Sequence, residues 1–174
     1  HTELLCKYLK LPIKIRKKKE LDIISINGKK KLNPLNYSIP ADISSCAFFI
    51  VLTALSKNSN LTVKNVNINP TRTGILKILK MMNVRVSLKN KRNYKGERIA
   101  DINVKSAKNL KAINCPTKLN SASIDEFLLI FLIAAKANGV SYFKRLAELN
   151  QKESPRLIWG ATILKMMGIK TVMT

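Results

Sequence analysis

Acid is scarce in this 174-residue chain: 10 Asp and Glu stand against 32 Lys and Arg, a formal net charge of +22. Each carboxylate is therefore worth locating, and the field favours anionic partners such as phosphates, nucleic acid or anionic membrane. Histidine is limited to His1, so no His-based catalytic triad can be completed within the chain. Cys6, Cys46 and Cys115 are odd in number and lie outside any CxxC spacing. That pattern excludes a disulfide framework and a zinc site, and it fits a reducing cytoplasm. Only 6 glycines occur, with neither a P-loop nor a dinucleotide fingerprint among them, so no motif supports ATP, NAD or any other cofactor. Aromatics make up 6% and form no stacking pattern, and no Arg-rich arm accompanies them; a nucleic-acid partner would rest on charge alone. The longest apolar run, Phe127 to Ala135, is 9 residues between Glu126 and Lys136. A membrane span needs about 20 residues, so this run reads as a buried helix and no membrane partner is expected. No secretory signal is present, and the chain begins on His1 without an initiator Met, which reads as an internal fragment of a longer protein.

What is present begins with a hydrophobic content of 46%, enough for a sizeable core. The Lys excess is spread along the whole chain beside many Asn and Ile, as compositional drift towards A/T-rich codons would leave it. Self-comparison is more informative. "ILKMM" occurs at Ile78 to Met82 and again at Ile163 to Met167, an offset of 163 − 78 = 85, and each copy leads into a β-prone run, "VRVSL" or "IKTVM". Upstream, "PADISSCAFFIVLTAL" and "SASIDEFLLIFLIAAKA" are apolar helical patterns opened by Asp42 and Asp125, followed by "LTVKNV" and "VSYFKRL". A third, truncated copy opens the chain, "TELLCKYLKLPIKI" matching "TGILKILKMMNVRV" from Thr73. Further strands are expected at "PIKIRK", "LDIISING", "RIADINVK" and "LKAINC", with polar turns between. The expectation is an α/β (α+β) fold of repeated strand-helix-strand units, with a hinge at the Pro-flanked stretch from Asn33 to Asp42.

Local signals bound the helices. Ser123-x-x-Glu126 has capping-box spacing and Gly139 is placed to stop that helix, which is expected from about Asp125 to Asn138. Ser154 is placed to cap the last helix with Pro155 in its first turn, and Gly168 to end it. The paired Met81, Met82, Met166 and Met167 and the lone Trp159 read as core filler.

Four carboxylates, Asp125, Glu126, Glu148 and Glu153, fall in the last third, three of them at element ends, where sites are assembled. On spacing alone Asp125 and Glu126 read equally as helix caps. "KESPR" sets Lys152, Glu153 and Arg156 around one helix start, whose free N–H groups attract anions. Arg72 and His1 hold the corresponding places in the other units, and a solvated helix start remains the alternative reading. Ser44 and Ser45 read as capping residues.

At these residues the chain resembles the 5-enolpyruvylshikimate-3-phosphate synthase (3-phosphoshikimate 1-carboxyvinyltransferase) family. "HTE", "IPADISSCAFF", "NINPTRTGILKILKMM", "SIDEFLLIFLIAA" and "LAELNQKESPRL" appear in the family's order and cover essentially the whole chain. The resemblance implies two domains, each of three βαβαββ units, with residues 1–39 ending the first and 40–174 forming much of the second. It implies transfer of the enolpyruvyl group of phosphoenolpyruvate to the 5-hydroxyl of shikimate 3-phosphate, with release of phosphate, by a cytoplasmic enzyme that is a monomer at full length. Carried over by motif, Asp125 holds or deprotonates the 5-hydroxyl, while Lys152 contacts the shikimate phosphate and the reacting oxygen. Glu148 joins the shikimate 3-phosphate contacts, Glu153 handles the proton at the methylene carbon, and Arg156 binds phosphoenolpyruvate. The chain departs from the family pattern at Pro155, where an Asp is usual, at Ala41, where a Gly is usual, and at Asn150 and Gln151, which replace an Arg-Val pair. Other substrate-binding residues of the family lie outside these 174 residues, so the piece alone is expected to be inactive. Two rivals differ in a readable feature. A sister transferase acting on UDP-N-acetylglucosamine shares the fold but does not use a Lys-Glu-Ser-x-Arg run, and a basic nucleic-acid-binding module would gather its charge on one face.

Overall fold

Asp42 opens the second unit as its place before an apolar helix requires. Its backbone is extended (φ −76°, ψ 130°) and its Oδ2 accepts from the Ser45 N–H at 2.8 Å, so helix α2 (Ile43–Leu55) begins with a donor already satisfied. Cys46, Ala47, Ile50, Val51 and Ala54 recur at helical spacing and are buried. This is a computed structural model that describes residues 1–19, 21–28 and 30–173.

Around α2 the elements repeat one order. Helix α1 (Thr2–Tyr8) leads into the antiparallel hairpin of β1 (Ile13–Lys17) and β2 (Asp22–Ile26). The next unit is complete. Ala41 bridges Val66 in parallel, and α2, β3 (Asn60–Asn67), α3 (Gly74–Met81), β4 (Val86–Tyr94) and β5 (Glu97–Lys105) follow. In the third, Lys111 bridges Asn138 and Asn114 bridges Tyr142, both in parallel, on either side of α4 (Phe127–Ala134), and α5 (Arg156–Met166) comes after. The series therefore runs αββ, βαβαββ, βαβα, which is the mixed helix and strand repeat expected from the sequence.

The three-stranded sheet has the order β3-β5-β4, antiparallel throughout. β3 bulges opposite Asp101 of β5 and β4 opposite the neighbouring Ala100. The Asn65 N–H donates to Asp101 Oδ1 at 2.9 Å and the Asn90 side-chain amide to Asp101 Oδ2 at 2.8 Å, and both asparagines adopt the left-handed backbone that this residue tolerates. Lys95 and Gly96 close the β4–β5 hairpin with positive φ. The polar stretch from Lys89 to Tyr94, expected as a turn, extends β4 instead, because cross-strand pairing to β5 outweighs its low β propensity.

One core holds the helices to the sheet. Ile50 of α2, Ile75, Ile78 and Leu79 of α3, Ile102 and Val104 of β5, and Phe127, Ile130 and Ile133 of α4 are all buried in it. Each such side chain contributes about 2 kcal/mol through burial.

All three repeat helices α1, α3 and α5 end in the same way. Lys10, Asn83 and Gly168 have positive φ, and the next residue's N–H reaches back to the carbonyl of Cys6, Leu79 or Leu164. This motif aligns the first copy with the second at 83 − 10 = 73, two residues away from the match by letters, and keeps the offset of 85 for the third.

Several local expectations need correcting. Ser123 makes no capping box, since its backbone is non-helical (φ −140°, ψ 20°) and its hydroxyl donates to the Leu119 carbonyl. Residues Ser121–Glu126 form 3-10 turns ahead of α4, which ends at Ala134, short of Gly139. The strands expected at "LKAINC" and "VSYFKRL" are reduced to the two parallel bridges, and none forms at "IKTVM". Met82 is core and Met81, at the end of α3, is exposed; Trp159, Met166 and Met167 are exposed because α5 carries no sheet over that face among the described residues. No helix of the described residues is long and apolar enough to cross a membrane.

Candidate active site

Two helix starts and one 3-10 turn meet at Asp125. The turn before α3 is built by asparagines: Asn67 Oδ1 accepts from the Asn69 N–H at 2.9 Å, and Asn69 accepts from both the N–H and the hydroxyl of Thr71. This turn presents Arg72. Gly74 then lets α3 begin hard against the Ser121–Glu126 turn, where a Cβ would lie 2.8 Å from the Ala122 carbonyl carbon and oxygen. Only a residue without a side chain allows that approach.

The helix carrying "KESPR" starts differently from the expectation. Ser154 does not cap it by its side chain; instead Asn150 Oδ1 accepts from the Leu157 N–H at 3.1 Å and the Ile158 N–H at 3.2 Å. Asn150 sits in the 3-10 turn Ala147–Gln151 and reaches across to the helix mouth. Its amide oxygen therefore takes the two donors that the helix start leaves open.

At the centre, the Asp125 carboxylate is partly buried and meets three cations. Arg72 Nη2 lies 3.0 Å from Oδ2, while Lys152 Nζ and Arg156 Nη1 each lie 3.5 Å from Oδ1. Arg156 also donates through Nη2 to Glu153 Oε2 at 2.7 Å. The exposed Glu153 carboxyl is held below the usual carboxylate range, first by its own backbone N–H and then by Arg156. Next to Asp125, Glu126 is 2% exposed and accepts from the Ser44 hydroxyl at 2.5 Å. Burial pushes the Glu126 carboxyl up against the opposing pull of the Ser44 bond and the Arg72 charge. Ser44 in turn accepts from Arg72 Nη2 at 3.2 Å.

Asp125, Lys152, Glu153 and Arg156 are thus brought together from two segments. Glu148 is not part of that cluster; it is exposed in the 3-10 turn before α5 and joins no ion pair among the described residues. His1, placed by the repeat at a helix mouth, pairs with Glu97 at 2.8 Å rather than with the site. Arg72, Ser44 and Asn150 are the residues that sequence reasoning undervalued. The signal for Arg72 was its repeat-equivalent place to "KESPR"; Ser44 looked like one of two capping serines, but Asp42 is the cap, and Ser45 only donates to it through its N–H and hydroxyl. Such an arrangement, a carboxylate ringed by cations with a second, exposed carboxylate beside it, suits proton transfer between bound anions. Among the described residues no group of His, Cys, Asp and Glu could hold a metal ion.

Comparison with known proteins places the whole chain in one family. Residues 1–174 match the family model of EPSP synthase (3-phosphoshikimate 1-carboxyvinyltransferase). The chain is 38% identical over 170 residues to the 3-phosphoshikimate 1-carboxyvinyltransferase of Hydrogenovibrio crunogenus, a match covering 97% of this chain and 38% of that protein. To the protein of the same name from Ruthia magnifica it is 40% identical over 170 residues, covering 98% of this chain and 38% of the other. Among solved structures, EPSP synthase from Acinetobacter baumannii is similar with a TM-score of 0.90 at 38% identity, over 100% of this chain and 38% of that one. The chain thus spans 38% of the length of these relatives. The family model covers every residue, the fold is shared at high similarity, and the chain belongs to the EPSP synthase family.

Proposed function

We propose that these residues supply part of the active site of a transferase that moves the enolpyruvyl group of phosphoenolpyruvate to the 5-hydroxyl of shikimate 3-phosphate, within a longer polypeptide. One observation carries the reading: in a chain of this family, Asp125 gathers Arg72, Lys152 and Arg156, with Glu153 on the far side of Arg156. Both substrates are anions, and the net charge of +22 favours their approach.

In the addition step, Asp125 accepts the proton of the 5-hydroxyl as that oxygen bonds to C2 of phosphoenolpyruvate, and Glu153 delivers a proton to the methylene carbon C3. The product is a tetrahedral intermediate whose C2 carries phosphate, carboxylate, methyl and the sugar oxygen. In the elimination step, Glu153 takes a proton back from the methyl group, the C2–C3 double bond reforms, the C2–O bond to phosphate breaks, and the departing phosphate takes the proton held by Asp125. Lys152 offsets charge at the shikimate phosphate and the reacting oxygen, and Glu148, on the 3-10 turn that ends just before Lys152, supplies a further polar contact to that substrate. Arg156 takes the phosphoenolpyruvate carboxylate. Doing so draws its guanidinium away from Glu153, and a carboxylate released from its cation is a better proton carrier.

The Asn33 to Asp42 stretch is proposed as the boundary between a first domain, ending at residue 39, and a second formed from residue 40 onward. Support comes from the sheets: among the described residues β1 and β2 pair only with each other, and residues 33–40 enter no ladder. We place the enzyme in the cytoplasm as a monomer, supported for the compartment by three free cysteines.

The test is phosphate release by the full-length polypeptide carrying these residues. It should require both substrates, and Asp125→Asn should lower kcat by about 10²- to 10⁴-fold with the circular dichroism spectrum unchanged. Phosphate release that ignores shikimate 3-phosphate would sink the reading. The isolated 174 residues should show no turnover.

A further inference from the structure

Asp125 is contacted on both oxygens, and the division of labour between them is informative. Lys152 and Arg156 share Oδ1 at 3.5 Å, whereas Arg72 alone takes Oδ2 at 3.0 Å. Lys152 and Arg156 lie on one short segment at the start of α5 and are the two cations assigned to substrate above. Arg72 belongs to a different segment, the asparagine-built turn before α3, and is anchored from behind. Its Nη2 donates to Ser44 Oγ at 3.2 Å, and the Ser44 hydroxyl donates to Glu126 Oε1 at 2.5 Å. Glu126 is buried, so its carboxylate fixes the direction of the Ser44 O–H and leaves the Ser44 lone pairs for Arg72. The close approach of Gly74 to Ala122 keeps the α3 start and the Asp125 turn in register.

We propose that Arg72 is the positioning residue for Asp125: clamped by the Ser44–Glu126 pair, it holds Oδ2 and so presents Oδ1 to the reacting hydroxyl when Lys152 and Arg156 turn to substrate. This inference rests on the role given to Asp125 above. It also assigns a purpose to a buried carboxyl, Glu126, that the reaction itself does not use.

Steady-state kinetics on the full-length polypeptide test it. Arg72→Ala should lower kcat by about 10- to 100-fold while the KM of each substrate stays within about threefold, since misplacement of a catalytic group costs rate rather than binding. Arg72→Lys should recover part of that loss, because an ammonium can still reach Asp125 although it cannot span to Ser44. Ser44→Ala should cost about threefold in kcat, less than Arg72→Ala. Should Arg72→Ala fail to fold, Arg72→Gln takes its place in the same comparison. Unchanged kcat in Arg72→Ala, or a raised KM with kcat intact, would overturn the proposal, the second outcome making Arg72 a substrate-binding group. Asp125→Asn separates the two levels. If that variant keeps full activity, the reading of the site itself fails; if it is inactive while Arg72→Ala behaves as wild type, only the positioning role fails.

Discussion

The pentapeptide "ILKMM" occurs twice and meets two different fates. In α3, Ile78, Leu79 and Met82 are each 0% exposed, while in α5 Ile163 is 52%, Leu164 9% and Met167 58% exposed. The helix ends are nevertheless alike, with a positive-φ residue at the same offset and the same backward hydrogen bond to Leu79 or Leu164. Helix termination is thus written in local sequence, whereas burial depends on what the next elements place over the helix. After α3 come β4 and β5, which seal one face; after α5 no described strand follows.

The largest effect expected from that contrast is on stability. Ile78→Ala should cost about 3–4 kcal/mol, as buried Ile truncations do, whereas Ile163→Ala should cost less than about 1 kcal/mol. Denaturant unfolding of the full-length polypeptide compares them directly. Equal losses would break the contrast and place chain outside these residues over the α5 face.

How much of this was legible in the sequence follows from the same distinction. Asp42 as a cap, Gly168 as a stop, the strands β1 and β2 and the apolar runs of α2 and α4 all depend on neighbours within a few residues, and they formed as expected. Ser123 misled because capping-box spacing does not guarantee a helical backbone; the Leu119 carbonyl competes for its hydroxyl. Trp159 and Met166 looked like core because hydrophobicity does not say which side a sheet will take. In the site, "KESPR" and Asp125 could be named from the family's motifs, but the pairing of Arg72 with Asp125 joins residues from separate units, and spacing within one unit could not reveal it. Asn150 was noted only as a departure, yet its amide oxygen caps the very helix that carries Arg156.

A smaller effect sharpens the likeness between the two helix ends. Gly168 has φ +79° and open space around its missing side chain, so Gly168→Ala should cost about 1–2 kcal/mol from backbone strain alone. Asn83, at φ +69°, pays less strain and adds a bond from its amide to the Asn109 carbonyl at 2.9 Å. Replacing it by Gly should therefore cost only about 0.5–1 kcal/mol, the loss of one hydrogen bond. A larger loss for Asn83→Gly than for Gly168→Ala would show that the two ends are held by different means.

The smallest effect concerns the starts of α2 and α4, where Asp42 and Glu126 are shifted in opposite directions. For Asp42 burial is the largest single influence and raises its pKa, but the Ser45 N–H and hydroxyl, the Ser44 N–H and the Arg72 charge together carry it below its ordinary value. For Glu126 burial prevails and the folded value is raised. The linkage signs then differ. Asp42 contributes stability above its unfolded pKa of about 3.9, and that contribution is lost as pH falls through the lower folded value. Glu126 is neutral in both states below about pH 4.3; its favourable term is lost as pH rises from there through the raised folded value, beyond which the buried charge opposes folding. Asp42→Asn should therefore lose stability relative to wild type at neutral pH and approach it in acid. Glu126→Gln, still able to accept from Ser44, should gain on wild type as pH rises from 4 to 7. Unfolding free energies measured from acid to pH 7 should show the Asp42→Asn deficit growing as pH rises towards about 3.9 and the Glu126→Gln gain growing above about 4.3, and parallel profiles would mean that burial does not separate the two carboxyls.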